Sequence, residues 1–185
     1  MEQEKELFTV SVFSENTVGL LSQVALIYTR RCINIESISA STCSIPGVHK
    51  WTITSWSTRP VMEKLVLQIE KCIDVLKAFL YTDEEIVYQE VALYKVDTSL
   101  LLDEPQLEDI IRKYNARILD INRGFTVIEK TGHNSETTAL FDELKRYNLR
   151  QFVRSGRVTI TKSEREFVSE YIEKQNKRKN DTLQG

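Results

Sequence analysis

The hydrophobic pattern of this chain opens on an alternation. Phe8, Val10 and Val12 are separated by Thr9 and Ser11, which predicts a strand over residues 7–13 with one buried face. Val18, Leu21, Val24, Ala25 and Tyr28 then recur at helical spacing to about Arg31, with Asn16 as the candidate N-cap. Residues 33–40 read as a second strand. Pro46-Gly47 marks a turn, and residues 48–56, rich in Trp, Thr and Ile, read as a third strand hairpinned to the second. Ser57-Thr58-Arg59-Pro60 opens a helix with Met62, Leu65, Ile69 and Cys72 on one face, and residues 75–81 supply a fourth strand. The order is βαββαβ, the split βαβ or ferredoxin-like unit.

The same order follows again in weaker form. Residues 87–96 read as a strand. Asp103-Glu104-Pro105 starts a helix whose apolar face is Leu107, Ile110, Ile111 and Tyr114. Residues 117–121 and 125–128 are strands joined across Asn122-Arg123-Gly124. Residues 136–147 are helical, and 149–160 give final strand material interrupted at Ser155-Gly156. The predicted fold class is α+β, with two consecutive ferredoxin-like βαββαβ domains over 7–82 and 86–162. They divide at the acidic Thr82-Asp83-Glu84-Glu85 and are followed by a charged tail, 163–185. In that region Lys162 to Gln175 reads as a charged helix and Asn176 to Gly185 as a frayed end. Two helices cover one face of a small sheet and leave the other to be buried by something else. Trp51, Ile53 and Ile35 add more apolar surface than one face hides, which predicts a dimer built around the first unit.

Composition narrows the function mostly by exclusion. The chain has 185 residues, 41% hydrophobic and 28% charged, enough for packed cores under an ordinary surface. A net charge of −2 gives no general electrostatic attraction to nucleic acid or to an anionic membrane. The basic run from Lys174 to Lys179 lies in the tail and reads as solvated. Cys32, Cys43 and Cys72 form neither a disulfide framework nor a metal-spaced pair, and reduced thiols point to the cytoplasm. The acidic start, Met1 to Glu6, carries no secretory signal pattern, and no apolar run approaches the ~20 residues that span a bilayer.

Catalytic chemistry is not predicted. His49 lies in a hairpin and His133 in a Gly-His-Asn turn, so a His-carboxylate-Ser assembly would need both loops to converge. His49 with Cys43 would supply two metal ligands, which do not make a site. Neither glycine-rich phosphate cradle is present. Asp83, Glu84 and Glu85 read as a solvated linker rather than an acid/base pair. Tyr88, Tyr94 and Tyr114 fall at strand and helix spacing and read as core or rim. No catalytic and no metal-binding residue is assigned.

Two short words point to binding instead: Glu15-Asn16-Thr17-Val18-Gly19-Leu20-Leu21 and Asn34-Ile35-Glu36-Ser37, at the two ends of the first helix. A glycine-bearing helix start can hold a small anion such as an amino-acid carboxylate, and Gly19 lets the neighbouring backbone come close. Asn side chains accept from an ammonium and donate to a carboxylate. Leu20 or Leu21 is placed to touch an aliphatic side chain. Singly, Asn16 is equally a helix cap, Gly19 a packing glycine and Asn34 a turn residue. In a side-by-side dimer the helix-start loop of one copy meets the segment entering the second strand of the other.

The run Val10-Ser11-Val12, Glu15-Asn16-x-x-Gly19-x-Leu21-Ser22 and Arg31-x-x-Asn34-Ile35-Glu36-Ser37 resembles the N-terminal ACT domain of the small, regulatory subunit of acetolactate synthase (acetohydroxyacid synthase). Ile69-Glu70-Lys71, Asp74-Val75-Leu76 and Arg154-Ser155-Gly156-Arg157-Val158 resemble later parts of that family, so the likeness covers roughly residues 7–162. The resemblance implies a non-catalytic subunit that dimerises through ACT domains and associates with a separate catalytic subunit. It implies that the subunit raises that partner's activity and confers feedback inhibition by a branched-chain amino acid, usually valine. It places no cofactor in this chain and thiamine diphosphate, magnesium and FAD in the partner. Carried over residue by residue, it makes Asn16, Gly19, Leu20, Leu21, Asn34 and Ile35 the effector-binding candidates. Arg154 becomes a structural or subunit-contact candidate. The sequence departs from the family at Thr17-Val18, where Glu-Ser or similar is common, in the short Pro46 hairpin, and after Val158, where Thr-Ile-Thr-Lys-Ser-Glu-Arg replaces a Gly-rich end. The alternative is a stand-alone ACT-type amino-acid sensor or adaptor for another protein, which co-purification separates from the first reading.

Overall fold

The computed structural model describes residues 4–99 and 105–165, together with Val168, Glu170 and Glu173. The opening alternation folds as β1 (Glu6–Glu15), followed by α1 (Leu20–Arg30), β2 (Ser37–Thr42), β3 (Val48–Ser57), α2 (Arg59–Ile69) and β4 (Val75–Tyr81). The four strands make an antiparallel sheet in the order β2-β3-β1-β4. Phe8, Val10 and Val12 point to the same face as Trp51 and Ile53, and α1 and α2 cover it with Leu20, Val24, Tyr28, Met62, Leu65 and Ile69. Period 2 on the strands and period 3.6 on the helices thus meet in one core.

That packing corrects one expectation. Trp51 and Ile53 are buried inside this unit, and Ile35 packs against the same core. The surplus apolar surface predicted from Trp51 and Ile53 does not exist, because the unit's own helices hide it, and Ile35 is half-buried. The opposite sheet face is lined by hydroxyls: the register sets Thr9 beside Thr54 and Ser11 beside Thr52. All four are buried. Thr159, which belongs to this unit, lies against that face; its carbonyl accepts from Lys50 Nζ and its hydroxyl is 3.3 Å from that of Thr52.

Element ends moved for identifiable reasons. β1 runs on to Glu15 because that residue still pairs with Val48 and its N–H donates to the Asp74 carbonyl at 2.9 Å. The helix then starts only at Leu20, capped by Gly19 at φ 92°, so Asn16 sits in the connecting loop and is not the N-cap. At the other end, the N–H groups of Arg31 and Ile33 return to the Tyr28 carbonyl, which holds residues 31–33 in a helix-closing turn and delays β2 to Ser37. The acidic Thr82–Glu85 stretch is a formed turn, not a loose linker. The Glu85 carboxylate accepts from the Thr82 N–H (2.8 Å) and hydroxyl (3.0 Å), and the next strand starts at Ile86.

The second unit repeats the plan with β5 (Ile86–Val96), α3 (Pro105–Lys113), β6 (Arg117–Ile121), β7 (Thr126–Gly132), α4 (Asn134–Leu144) and β8 (Gln151–Arg154); β9 (Val158–Thr161) follows and falls mostly in the first unit. Its sheet order is β6-β7-β5-β8, with β9 also pairing to β5. Ala92, Tyr94, Val96 and Ile128 pack under Leu107, Ile111, Leu140 and Leu144. The Asn122-Arg123-Gly124 turn closes through Asn122 Oδ1, which accepts from the N–H groups of Gly124 and Phe125. Tyr94 is core, while Tyr88 and Tyr114 are half-buried. By compactness the chain divides into residues 1–87 joined by 159–185, and residues 88–158. The charged helix expected to begin at Lys162 does not: residues 162–165 are non-helical, Val168, Glu170 and Glu173 are helical, and the rest of that stretch and the frayed end beyond it lie outside the described residues.

Candidate functional site

The first binding word occupies the start of α1. Gly19 holds a left-handed φ of 92°, a region that suits glycine, and the Leu20 N–H makes a long 3.4 Å contact to the Thr17 carbonyl. No side chain caps this helix and no acidic residue stands in its first turn. The open backbone N–H groups and the positive end of the helix dipole therefore face the loop without an internal anion in competition. Asn16 is exposed beside them. Val18 is fully exposed at 100% and Leu21 half-exposed at 52%, whereas Leu20 is 1% exposed and belongs to the core. Of the two leucines, Leu21 is the one whose side chain is presented outward; Leu20 contributes its backbone.

The second word sits at the other end of α1. Asn34 is exposed, Ile35 is half-buried against the core, and the Glu36 N–H donates to the Thr54 carbonyl at 2.8 Å. Arg31 is anchored across to α2, its Nε donating to Gln68 Oε1 at 3.0 Å. The 11 residues of α1 separate the two words by about 16 Å. A single copy therefore brings Asn16, Gly19, Leu20 and Leu21 together, and Asn34 with Ile35, but does not bring the two sets to one another. Two surface cavities of about 720 and 350 Å³ are lined by other residues, the first around Trp56 and the second around Lys130.

Arg154 is positioned by the second unit's own fold. Its Nη2 donates to Thr138 Oγ1 at 2.9 Å and its Nε is 3.7 Å from Glu90. Arg157, only 3% exposed, approaches the other oxygen of the same carboxylate at 3.6 Å and lies over the Tyr88 ring at 3.8 Å. Between them Ser155 prolongs the β-ladder: its N–H donates to the Val91 carbonyl (2.8 Å) and its hydroxyl accepts from the Val91 N–H (2.9 Å). The Arg-Ser-Gly-Arg stretch thus clamps the end of β8 to β5 around one buried carboxylate. Sequence reading missed this cluster. Its signal was Glu90 at an inward position of an apolar strand, which calls for buried cations.

Among the described residues no three His, Cys, Asp or Glu side chains gather as metal ligands. His133 stacks edge-on against Tyr88, 4.5 Å between ring centroids. Burial raises the tyrosine hydroxyl pKa values of Tyr28 and Tyr94, so neither is a ready base. No helix among the described residues is long and apolar enough to cross a membrane.

Comparison with known proteins gives consistent matches over both units. A family model described as the AHAS small subunit-like ACT domain matches residues 10–77, and one described as the small subunit of acetolactate synthase matches residues 89–163. The acetolactate synthase small subunit of Bacillus subtilis is 30% identical over 166 residues, 89% of this chain and 95% of that protein. That of Mycobacterium bovis is 28% identical over 157 residues, 85% of this chain and 93% of that protein. Among solved structures, the acetolactate synthase small subunit from Thermotoga maritima superposes with a TM-score of 0.77 at 25% identity, covering 86% of this chain and 99% of that one.

Proposed function

Because the chain belongs to the family of acetolactate synthase small subunits, we propose that it is the regulatory subunit that activates a catalytic acetolactate synthase subunit and confers feedback inhibition by a branched-chain amino acid. The domain reading that goes with this makes residues 7–82 the ACT domain and 86–162 a second ferredoxin-like domain. The thiamine diphosphate, magnesium and FAD of the reaction belong to the partner, and the setting is cytoplasmic.

One observation supports the effector site above all others. The start of α1, which no side chain caps, with Gly19 and Asn16, and the Asn34 segment stand at opposite ends of one helix, about 16 Å apart. A free amino acid is too short to engage both in one copy. A homodimer through the ACT domains would set the helix start of one copy against Asn34 and Ile35 of the other. The carboxylate then lies at the N–H groups of α1, the asparagine amides take the ammonium and carboxylate edges, and Leu21 touches the aliphatic side chain. Valine is the proposed effector. It acts by binding one state of the holoenzyme more tightly than another, a coupling of about 1–3 kcal/mol in comparable systems.

Calorimetry with valine, leucine and isoleucine, alongside assays of the catalytic subunit with and without this chain, tests the reading. Binding of one of the three, with stimulation by the chain and inhibition by that amino acid, is expected. Failure of all three to bind, with the catalytic rate unchanged, would sink it. Asn16→Ala and Gly19→Asp are expected to weaken inhibition while leaving stimulation intact.

A further inference from the structure

We infer that the second unit binds a short-chain monocarboxylate in the cavity between the end of α3 and the start of α4, on the buried ammonium of Lys130. Along β7, Lys130 stands two residues beyond Ile128 and so shares the face that packs under the helices. A lysine is not expected at such an inward position. Its side chain is only 9% exposed, and a buried ammonium needs acceptors for its three donors. Its ion-pair partner is Glu136, but at 3.7 Å the two are too far apart for a hydrogen bond. Glu136 is committed to its own helix start, where Oε2 accepts from the His133 N–H at 2.7 Å. Gly132 makes room for both side chains: a Cβ there would stand 2.7 Å from Glu136 Oε2 and 3.3 Å from Lys130 Cε. Among the described residues, the donors of Lys130 therefore meet no acceptor at hydrogen-bond distance.

Lys130 lines a cavity of about 350 Å³, a volume at the lower end of small-molecule sites. The end of α3 adds Lys113, Tyr114 and Asn115 to its wall, and the first turns of α4 add Ser135 and Ala139. The Ser135 hydroxyl and the Asn115 side-chain amide also make no hydrogen bond among the described residues. Both are therefore open to donate to an anion held by Lys130, and the positive end of the α4 dipole adds to the attraction. Charge decides which anion. Two lysines line the cavity with one carboxylate, so a single negative charge balances it. A phosphate dianion would leave an excess beside Glu136, which the His133 N–H and Lys130 keep ionised. The Tyr114 ring and the Ala139 methyl give a short carbon chain an apolar flank. A monocarboxylate with a small aliphatic tail matches all of these features.

The site lies within the second unit and does not depend on the amino-acid site of the first. Backbone amide NMR shifts of the full-length chain, titrated with butyrate and separately with inorganic phosphate, test it. Saturable shifts at Lys130 and Ser135 with butyrate, and weaker binding of phosphate, are expected. Lys130→Met keeps an unbranched apolar stem at the buried position and is expected to raise the butyrate Kd about tenfold. Glu136→Gln, an exposed change that keeps an acceptor for the His133 N–H, removes the competing charge and is expected to lower that Kd. Absence of saturable shifts at these residues overturns the proposal, as does butyrate binding that Lys130→Met leaves intact or that Glu136→Gln weakens. Phosphate binding tighter than butyrate overturns the choice of a carboxylate. Butyrate shifts confined to Gly19 and Leu20 also overturn it and assign the anion to the start of α1.

Discussion

At the scale of single residues, Gly19 carries the most. No atom lies within 4 Å of where a Cβ would stand, so a side chain there meets open space and only the φ of 92° resists it. Gly19→Ala should therefore cost about 1 kcal/mol in urea unfolding, and lose amino-acid binding by more than that loss of stability explains. Tyr94 donates its hydroxyl to the Thr137 carbonyl at 2.6 Å inside the second core. Tyr94→Phe should cost roughly 1 kcal/mol by the same measurement. Two carboxylates set the acid limb of stability. Glu129 is held below its usual 4.5 mainly by the Thr131 hydroxyl, with Arg117 and Lys130 adding to it against the opposing effect of burial. Glu136 is held below the same value, chiefly by the His133 N–H. A depressed carboxylate contributes its full stability above the unfolded value and loses it as pH falls through the folded one. Thermal stability should thus decline from about pH 4.5 downward, and Glu129→Gln should flatten that decline. The exposed asparagines and Gly19 were legible in sequence. That Leu20 faces inward and Leu21 outward was not, because they stand four and three positions before the buried Val24 and helical spacing admits either.

At the scale of elements, strands with strong alternation were read within a residue or two, as β3, β4, β5 and β6 show. The ends that moved are those set by bonds between distant residues, such as Glu15 to Asp74 and Ile33 to Tyr28. Local propensity carries no trace of such partners. The clamp joining β8 to β5 was hidden for the same reason, since Glu90 and Arg157 are 67 positions apart in the sequence and meet only after the sheet forms. Glu90→Ala would leave two arginines without their shared counter-charge, one of them fully buried. A loss of about 3–5 kcal/mol is expected, read as an early transition of the second unit by calorimetry. Arg154→Ala should cost less, because that side chain is partly exposed and Arg157 keeps its partner.

At the scale of the whole molecule, the duplicated βαββαβ order was visible because each copy repeats the alternation of strand and helix periods. The allocation of segments to units was not visible. Strand β9 looks like the last piece of the second unit by position, yet Thr159 is bonded to Lys50 and Thr52 of the first. A chain ending at Val158 is therefore expected to lower the melting temperature of the first unit, although its β1 to β4 stay intact. A melting curve for that unit unaltered by the truncation would contradict this.

The same return of the chain sets an order of events during synthesis. The first unit's strands leave the ribosome early, but the residue that meets the hydroxyl-lined face of its sheet is made only after all of residues 88–158. The N-terminal unit is thus begun first and finished last, and a ribosome stalled anywhere in the second half holds out a sheet whose hydroxyl face still lacks Thr159.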